Sequence, residues 1–269
     1  MDKFATWQMP TRLHFGHGAV AGLAETVCEL GMARVLVVTD PGVGRAGLSD
    51  RVLQVLAGVG VEARVFDAVE SNPSIETVER AAAAYVAGDA QGLIAIGGGS
   101  PIDVAKAAGI LARHSGSLAD YVGMGKVRNP LPPLIAIPTT VGTGSEVTSF
   151  AVITDRPRRR KLVIGSPHIA PREAVLDPEL VATLPASLVA ATAMDALTHA
   201  IESVISKLAT PFSDGSALEA IRLIAANLAA GLHALEARAS LEAFYTALSD
   251  LSPEVIGGKL PDDGFYYIP

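Results

Sequence analysis

The chain has 269 residues, 49% of them hydrophobic and 18% charged, which supplies the core of one large α/β domain or two ordinary ones and excludes global disorder. Its formal charge of −7 argues against nucleic acid as a partner, because neutralising phosphates needs a basic face. Cys28 is the only cysteine, so neither an internal disulfide nor a cysteine-built zinc site can form.

The opening MDKFATWQMPTRLHFGHG lacks the basic head and apolar run of a secretory signal. Beyond it, short β-branched runs alternate with segments of helical spacing. Residues 34–39 (RVLVVT) read as a strand that stops at Asp40-Pro41-Gly42. Residues 48–59 place Leu48, Val52, Val55, Leu56 and Val59 on one side of a helix. A second strand covers 62–66, and Ser74, after the Ser71-Asn72-Pro73 turn, is placed to cap a helix over 75–87. Residues 92–96 and 134–137 are apolar without alternation, the pattern of strands buried on both faces, and 101–114 between them reads as a helix with Ser100 as its N-cap. This order predicts a Rossmann-like parallel sheet with helices on both faces over residues 1–178.

After Asp177-Pro178 the β-branched runs end. Residues 188–207 and 216–230 read as helices, the second capped by Ser213 or Asp214. Residues 179–269 are therefore expected to form a shortened, all-helical domain with an irregular tail over 251–269. The longest uncharged runs, 131–145 and 180–194, contain proline and fall short of the roughly 18 residues of a membrane-spanning helix. A cytoplasmic protein without a membrane partner is expected.

Three constellations carry chemistry. Gly97-Gly98-Gly99-Ser100-Pro101-Ile102-Asp103 joins an apolar strand to a helix. Its glycines expose backbone N–H groups at the positive end of a helix dipole, which suits a phosphate or pyrophosphate and equally a tight turn. In the usual dinucleotide fingerprint an acidic residue follows the glycines by about 20 residues. Here the acid, Asp40, precedes them. From a neighbouring strand end it can accept a bond from a ribose 2′-OH and repel a 2′-phosphate, favouring NAD over NADP, or it can simply form the turn. The loop PTTVGTGSEVT at 138–148 crowds five hydroxyls and two glycines into eleven residues, either as a second cofactor wall or as a cap at which Thr143 or Ser145 starts a helix. Asp195 and His199 stand four apart in MDALTHAIES, on one helix face, either as an oxygen–nitrogen donor pair for a divalent metal or as a surface hydrogen bond.

Taken together, GGGSPID at 97–103, PTTVGTGSEVT at 138–148, DPEL at 177–180 and MDALTHAIE at 194–202 resemble the iron-containing (group III) alcohol dehydrogenases, and FGHGA at 15–19 fits that family too. The resemblance implies a dehydroquinate synthase-like architecture. It also implies an NAD-dependent oxidation of a small alcohol or diol, or reduction of an aldehyde, with Fe²⁺ (or Zn²⁺) binding the alkoxide during hydride transfer. A homo-oligomer, such as a dimer, is implied as well.

The same resemblance places Asp40 at the adenosine ribose and Asn72 on the adenine side. Gly98, Gly99 and Ser100 would face the pyrophosphate, with Asp103 bracing the helix start. Thr139, Thr140 and Thr143 would line the phosphate and nicotinamide side, with Lys161 near the cofactor and Arg158, Arg159 and Arg160 in a solvated hairpin. Leu180 would pack beside the nicotinamide ribose, and Asp195 and His199 would be the first two metal ligands.

The likeness runs from near residue 10 to about 238. Family members continue through a longer helical domain that holds two further histidine ligands. His14, His17, His114, His168 and His233 do not fall in those motifs, and the segment 244–269 matches nothing in the family. The chain thus reads as truncated, internally deleted or diverged at its C-terminal end. The rival expectation is a non-catalytic NAD-binding remnant. A zinc enzyme related to glycerol dehydrogenase or dehydroquinate synthase fits the motif spelling less well, and a metal-free reductase of the maleylacetate type conflicts with Asp195 and His199.

Overall fold

The computed structural model describes residues 8–231. His233 and the segments 244–269 and 251–269 singled out above lie outside the described residues. Two compact units result, one spanning Gln8–Thr183 and the other beginning at Leu184.

In the first unit, β1 (Arg12–Phe15), α1 (Leu23–Glu29), β2 (Arg34–Val38), α2 (Pro41–Arg45), α3 (Leu48–Gly58) and β3 (Glu62–Phe66) are followed by α4 (Ile75–Ala87), β4 (Gly92–Gly97) and α5 (Gly99–Arg113). Then come β5 (Gly123–Met124), β6 (Leu134–Pro138), β7 (Phe150–Asp155), β8 (Arg160–Gly165) and β9 (Glu173–Leu176). Six strands form one parallel sheet in the order β1-β9-β6-β4-β2-β3. The four strands read from the apolar runs are its centre and one edge. β1 and β9 are additional, each four residues long, and β9 opens on the charged Glu173. β7 and β8 form an antiparallel hairpin that belongs, with β5, to a separate small sheet.

Alternation within the apolar strands fills both faces. Leu36, Val38, Leu93, Ala95, Leu134 and Ala136 pack with Val78 and Ala81 of α4 and Ile102 and Ala105 of α5. Val35, Val37, Ile94, Ile96, Ile135 and Ile137 pack with Leu23 and Val27 of α1 and Val52 and Leu56 of α3. Each large side chain buried this way contributes about 1.5–3 kcal/mol, so both helix layers are held to the sheet by its own period of two.

The strand order reverses direction between β2 and β4. The chain leaves β2 for β3 on one side, then crosses back over it to β4. Such a switch point opens a crevice at the carboxyl ends of the two strands, where ligands of open α/β sheets bind. In this chain those ends carry Asp40 and the three glycines.

The second unit contains α6 (Ala186–Ile205) and α7 (Pro211–Gly231), which pack against each other. The cap of α7 differs from the sequence reading. Thr210 and Ser213 cap reciprocally, the Thr210 N–H donating to Ser213 Oγ at 2.7 Å and the Ser213 N–H to Thr210 Oγ1 at 3.2 Å. The helix thus begins five residues before the predicted 216, because proline fits its first position. Among the described helices, α6 alone is long and apolar enough to cross a membrane by length and composition, although it carries Asp195, His199 and Glu202.

Candidate cofactor site and metal pair

β4 ends at Gly97, whose φ of +149° is a conformation only glycine adopts without strain. A Cβ there would lie 2.6 Å from Pro101 Cγ and 3.2 Å from Asp40 Oδ2. Gly98, extended, is the N-cap of α5, and the helix starts at Gly99. Ser100 is therefore not the cap, contrary to the sequence reading. It already lies within the first turn, where its hydroxyl cannot take the capping position. No side chain caps this helix, so the first-turn N–H groups, backed by the dipole, are available to an anion.

Asp40 is the N-cap of α2, its Oδ1 accepting from the N–H groups of Gly42 at 2.7 Å and Val43 at 3.0 Å. The turn-forming reading is thus observed. Oδ2, which takes no part in the cap, is the oxygen directed at Gly97.

The second loop faces the same turn. Its register is set by Gly97 pairing with Pro138 and by the Thr139 N–H donating to Gly97 O at 2.9 Å. No helix begins at Thr143 or Ser145; the chain makes only a turn over 145–147. Thr139 is buried, Thr140 Oγ1 lies 3.1 Å from the position of a Cβ on Gly98, and Thr143 stands 3.3 Å from one on Gly99. Side chains at either glycine would fill the cradle between the two loops.

Asp103 braces this second loop and β7 rather than the start of its own helix. Its Oδ1 accepts from Ser145 Oγ at 2.6 Å and its Oδ2 from the Val152 N–H at 2.9 Å. Burial raises its carboxyl above the ordinary carboxylate range, against the opposing pull of Lys106, Ser145, Val152 and Lys161. Lys106, fully buried three residues further on, was not singled out from the sequence; a lysine inside the apolar run VAKAAGIL was the available signal.

Asn72 and Lys161 meet directly. Asn72 takes a φ of +54°, and its Oδ1 accepts from Lys161 Nζ at 2.5 Å, which also donates to Thr154 Oγ1 at 3.1 Å. The hairpin docks on the Asn72 turn through the Thr154 N–H, 2.7 Å from Pro73 O. Its arginines are more than solvated charges, since Arg158 and Arg160 both bind the buried Asp155, at 3.1 and 3.2 Å.

Asp177 explains why FGHGA and DPEL occur together. Its carboxylate accepts from the N–H groups of Gly18 at 3.1 Å, Val20 at 3.2 Å and Glu179 at 3.0 Å, tying the loop after β1 to the turn after β9. Leu180, at the end of that turn, is fully buried in the core with Ile137 and Val175, so its side chain offers no surface to a ligand. Asp177→Ala is expected to cost about 2–4 kcal/mol, since it removes a buried carboxylate and leaves three N–H donors, one of them buried, without their acceptor. Burial raises the Asp177 carboxyl, but the Val20, Glu179 and Gly18 amides and Arg51 hold it below its ordinary value near 3.8. With the folded value depressed, its stabilisation is complete above that ordinary value and disappears as pH falls through the folded one. Urea midpoints of wild type and variant should therefore differ at pH 7 and draw together on acidification below the ordinary carboxylate value, as the folded-state carboxyl takes up its proton.

Asp195 and His199 share one face of α6 as their spacing requires, with Asp195 Oδ1 and His199 Nε2 3.9 Å apart and both side chains about half exposed. That separation is too long for a hydrogen bond between them. Two metal–ligand bonds of about 2.1 Å span at most about 4.2 Å, so one ion can reach both atoms. The pair fits two positions of a divalent site by distance and by donor chemistry. Among the described residues no group of three or more His, Cys, Asp or Glu side chains gathers around an ion.

A parallel sheet with helices on both faces and an uncapped glycine turn at its switch point defines the first unit as a doubly wound α/β domain. The family follows from comparison. Residues 10–178 match the iron-containing alcohol dehydrogenase family and residues 189–249 the C-terminal Fe-containing alcohol dehydrogenase family. The chain belongs to the iron-containing alcohol dehydrogenases. The C-terminal match also reaches beyond residue 238 and takes in 244–249, which the sequence reading left unplaced.

A choline dehydrogenase of Bacillus subtilis (strain 168) is 44% identical over 228 residues, covering 84% of this chain and 57% of the relative. A 1,3-propanediol dehydrogenase of Klebsiella pneumoniae is 42% identical over 222 residues, covering 82% and 57%. The crystal structure of a 1,3-propanediol oxidoreductase superposes with a TM-score of 0.83 at 41% identity, covering 88% of this chain and 63% of that one. A sulfoacetaldehyde reductase from Bifidobacterium kashiwanohense, solved in complex with NAD+, gives 0.78 at 32% identity, with 88% and 63% covered. The chain thus spans about 57% of the length of the curated relatives it matches.

Proposed function

We propose that this chain binds NAD in the crevice between β2 and β4 and acts in the metal-assisted interconversion of small alcohols or diols with aldehydes. The carrying observation is the uncapped start of α5 at the switch point, with Asp40 on one side and Thr140 and Thr143 on the other. The α5 amides, Ser100 and the threonine loop bind the pyrophosphate, Asp40 Oδ2 orients the adenosine ribose, and Asn72 and Lys161 border the adenine side. Asp195 and His199 hold the metal. In the reaction the nicotinamide supplies the hydride acceptor and a divalent ion, Fe²⁺ before Zn²⁺, the Lewis acid that acidifies the alcohol. The placement is cytoplasmic and the assembly a homo-oligomer, with neither membrane nor nucleic acid as partner.

The test couples NAD+ reduction to short alcohols and diols and measures metal on the same preparation after anaerobic loading with Fe²⁺. Alcohol-dependent NADH formation with about one ion per chain is expected. One observation favours a second reading, an NAD-binding remnant: Asp195 and His199 gather no third ligand among the described residues. NADH binding without metal or turnover would establish the remnant.

Asp40→Ser separates the two duties of Asp40, since serine keeps an N-cap oxygen while removing the charge. Discrimination against NADP should relax about tenfold or more with little change in melting temperature. An unchanged NADP to NAD ratio of KM values would remove Asp40 from the site.

A further inference from the structure

Lys106 is fully buried in α5, yet its ammonium is bound by no residue of that helix except through the charge of Asp103, 4.0 Å away. Its Nζ donates to Phe150 O at 2.7 Å, Ser145 Oγ at 3.0 Å, Thr148 O at 3.0 Å and Thr148 Oγ1 at 3.3 Å. All four oxygens belong to residues 145–150, where the second loop runs into β7. A buried ammonium is costly unless its protons are used, and here each has an oxygen from one short segment.

The network continues toward the glycines. Ser145 in turn donates its hydroxyl hydrogen bond to Asp103 Oδ1, and its backbone N–H donates to Thr143 Oγ1 at 3.4 Å, the side chain that stands over Gly99. One helix therefore does two things. Its first turn offers amides to an anion, and its second turn ties down the loop that closes over them.

We propose that Lys106, with Asp103 and Ser145, is a positioning latch that fixes the 139–149 loop against the glycine turn and thereby sets affinity for the pyrophosphate and nicotinamide half of a dinucleotide, leaving the adenosine half untouched. This rests on the NAD reading above. The adenosine-side groups, Asp40, Asn72 and Lys161, make no hydrogen bond to Lys106, Asp103 or Ser145, and Lys161 acts on Asp103 through its charge alone. The charged groups acting on Lys106 are Asp103 and Glu146, and burial, which outweighs both, pushes its ammonium down to about 8.

The experiment uses the full chain as wild type, Lys106→Met and Ser145→Ala. Hydrogen exchange over 139–149 is measured without nucleotide, and NADH and AMP are titrated separately. Both variants should exchange faster in that loop. NADH affinity should fall about tenfold or more, while AMP affinity stays within about twofold. Unchanged loop exchange overturns the proposal, and so does an equal loss of NADH and AMP affinity, which is what a merely structural lysine would give. Ser145→Ala leaves Lys106 bound to Thr148 and Phe150, so the test stands even if Lys106→Met misfolds. Wild-type chain that binds neither nucleotide overturns the NAD reading and the affinity claim together, whereas loop exchange still reports on the latch by itself.

Discussion

Gly97→Ala is expected to lower stability by about 2–5 kcal/mol and to weaken NADH binding at least about tenfold. The strain has two sources. An L side chain must occupy φ +149°, and its Cβ must displace the Pro101 ring from 2.6 Å. Pro101 sits in the first turn of α5 and cannot move without rotating the amides that face the anion. Gly97 O also accepts the Thr139 N–H, so the shift reaches the second loop. A unit of this size loses about 2–4 °C per kcal/mol, giving a fall in Tm of about 4–20 °C. Gly99→Ala is the comparison, because Gly99 is helical and a Cβ there meets Thr143 at 3.3 Å. Alanine should keep the fold within about 1 kcal/mol and still weaken NADH. Normal NADH affinity in both variants would mean that the cradle is a tight turn and nothing more.

The glycine turn was legible because its chemistry is local: three glycines and a proline between an apolar strand and a helix. The central strands were legible for the same reason, as apolar runs bounded by breakers. What escaped depends on distant pairing. Arg12–Phe15 becomes a strand only because Glu173–Leu176 lies beside it. Phe150–Asp155 buries Ala151 and Ile153 while exposing Val152, but the apolar spelling of residues 150–153 hides that alternation.

Site residues divide the same way. Asp40 could be read as a turn former and Ser74 as a cap from their neighbours in sequence. The bond between Asn72 and Lys161 joins positions 89 apart, and Lys106 reaches a loop some 40 residues downstream. Ser100 was misread because a serine after glycines resembles a cap, while the backbone at Gly98 adopts the cap conformation itself.

His199→Ala and Asp195→Ala are each expected to remove bound metal and to lower kcat/KM for an alcohol by about 10³-fold, with NADH affinity unchanged. A Lewis acid contributes several kcal/mol of transition-state stabilisation, and each factor of ten corresponds to about 1.4 kcal/mol. The two atoms stand 3.9 Å apart on successive turns of α6, so on the proposed reading both would hold one ion and neither alone would retain it. Groups that act as a unit lose function together. The double variant should therefore be no worse than either single one, in metal content as in rate. Because both side chains are about half exposed, their truncation should leave Tm nearly unchanged, which separates loss of the ion from loss of the fold. Full metal content in both single variants would place the ion elsewhere and leave the Asp–His pair as two surface side chains one helical turn apart.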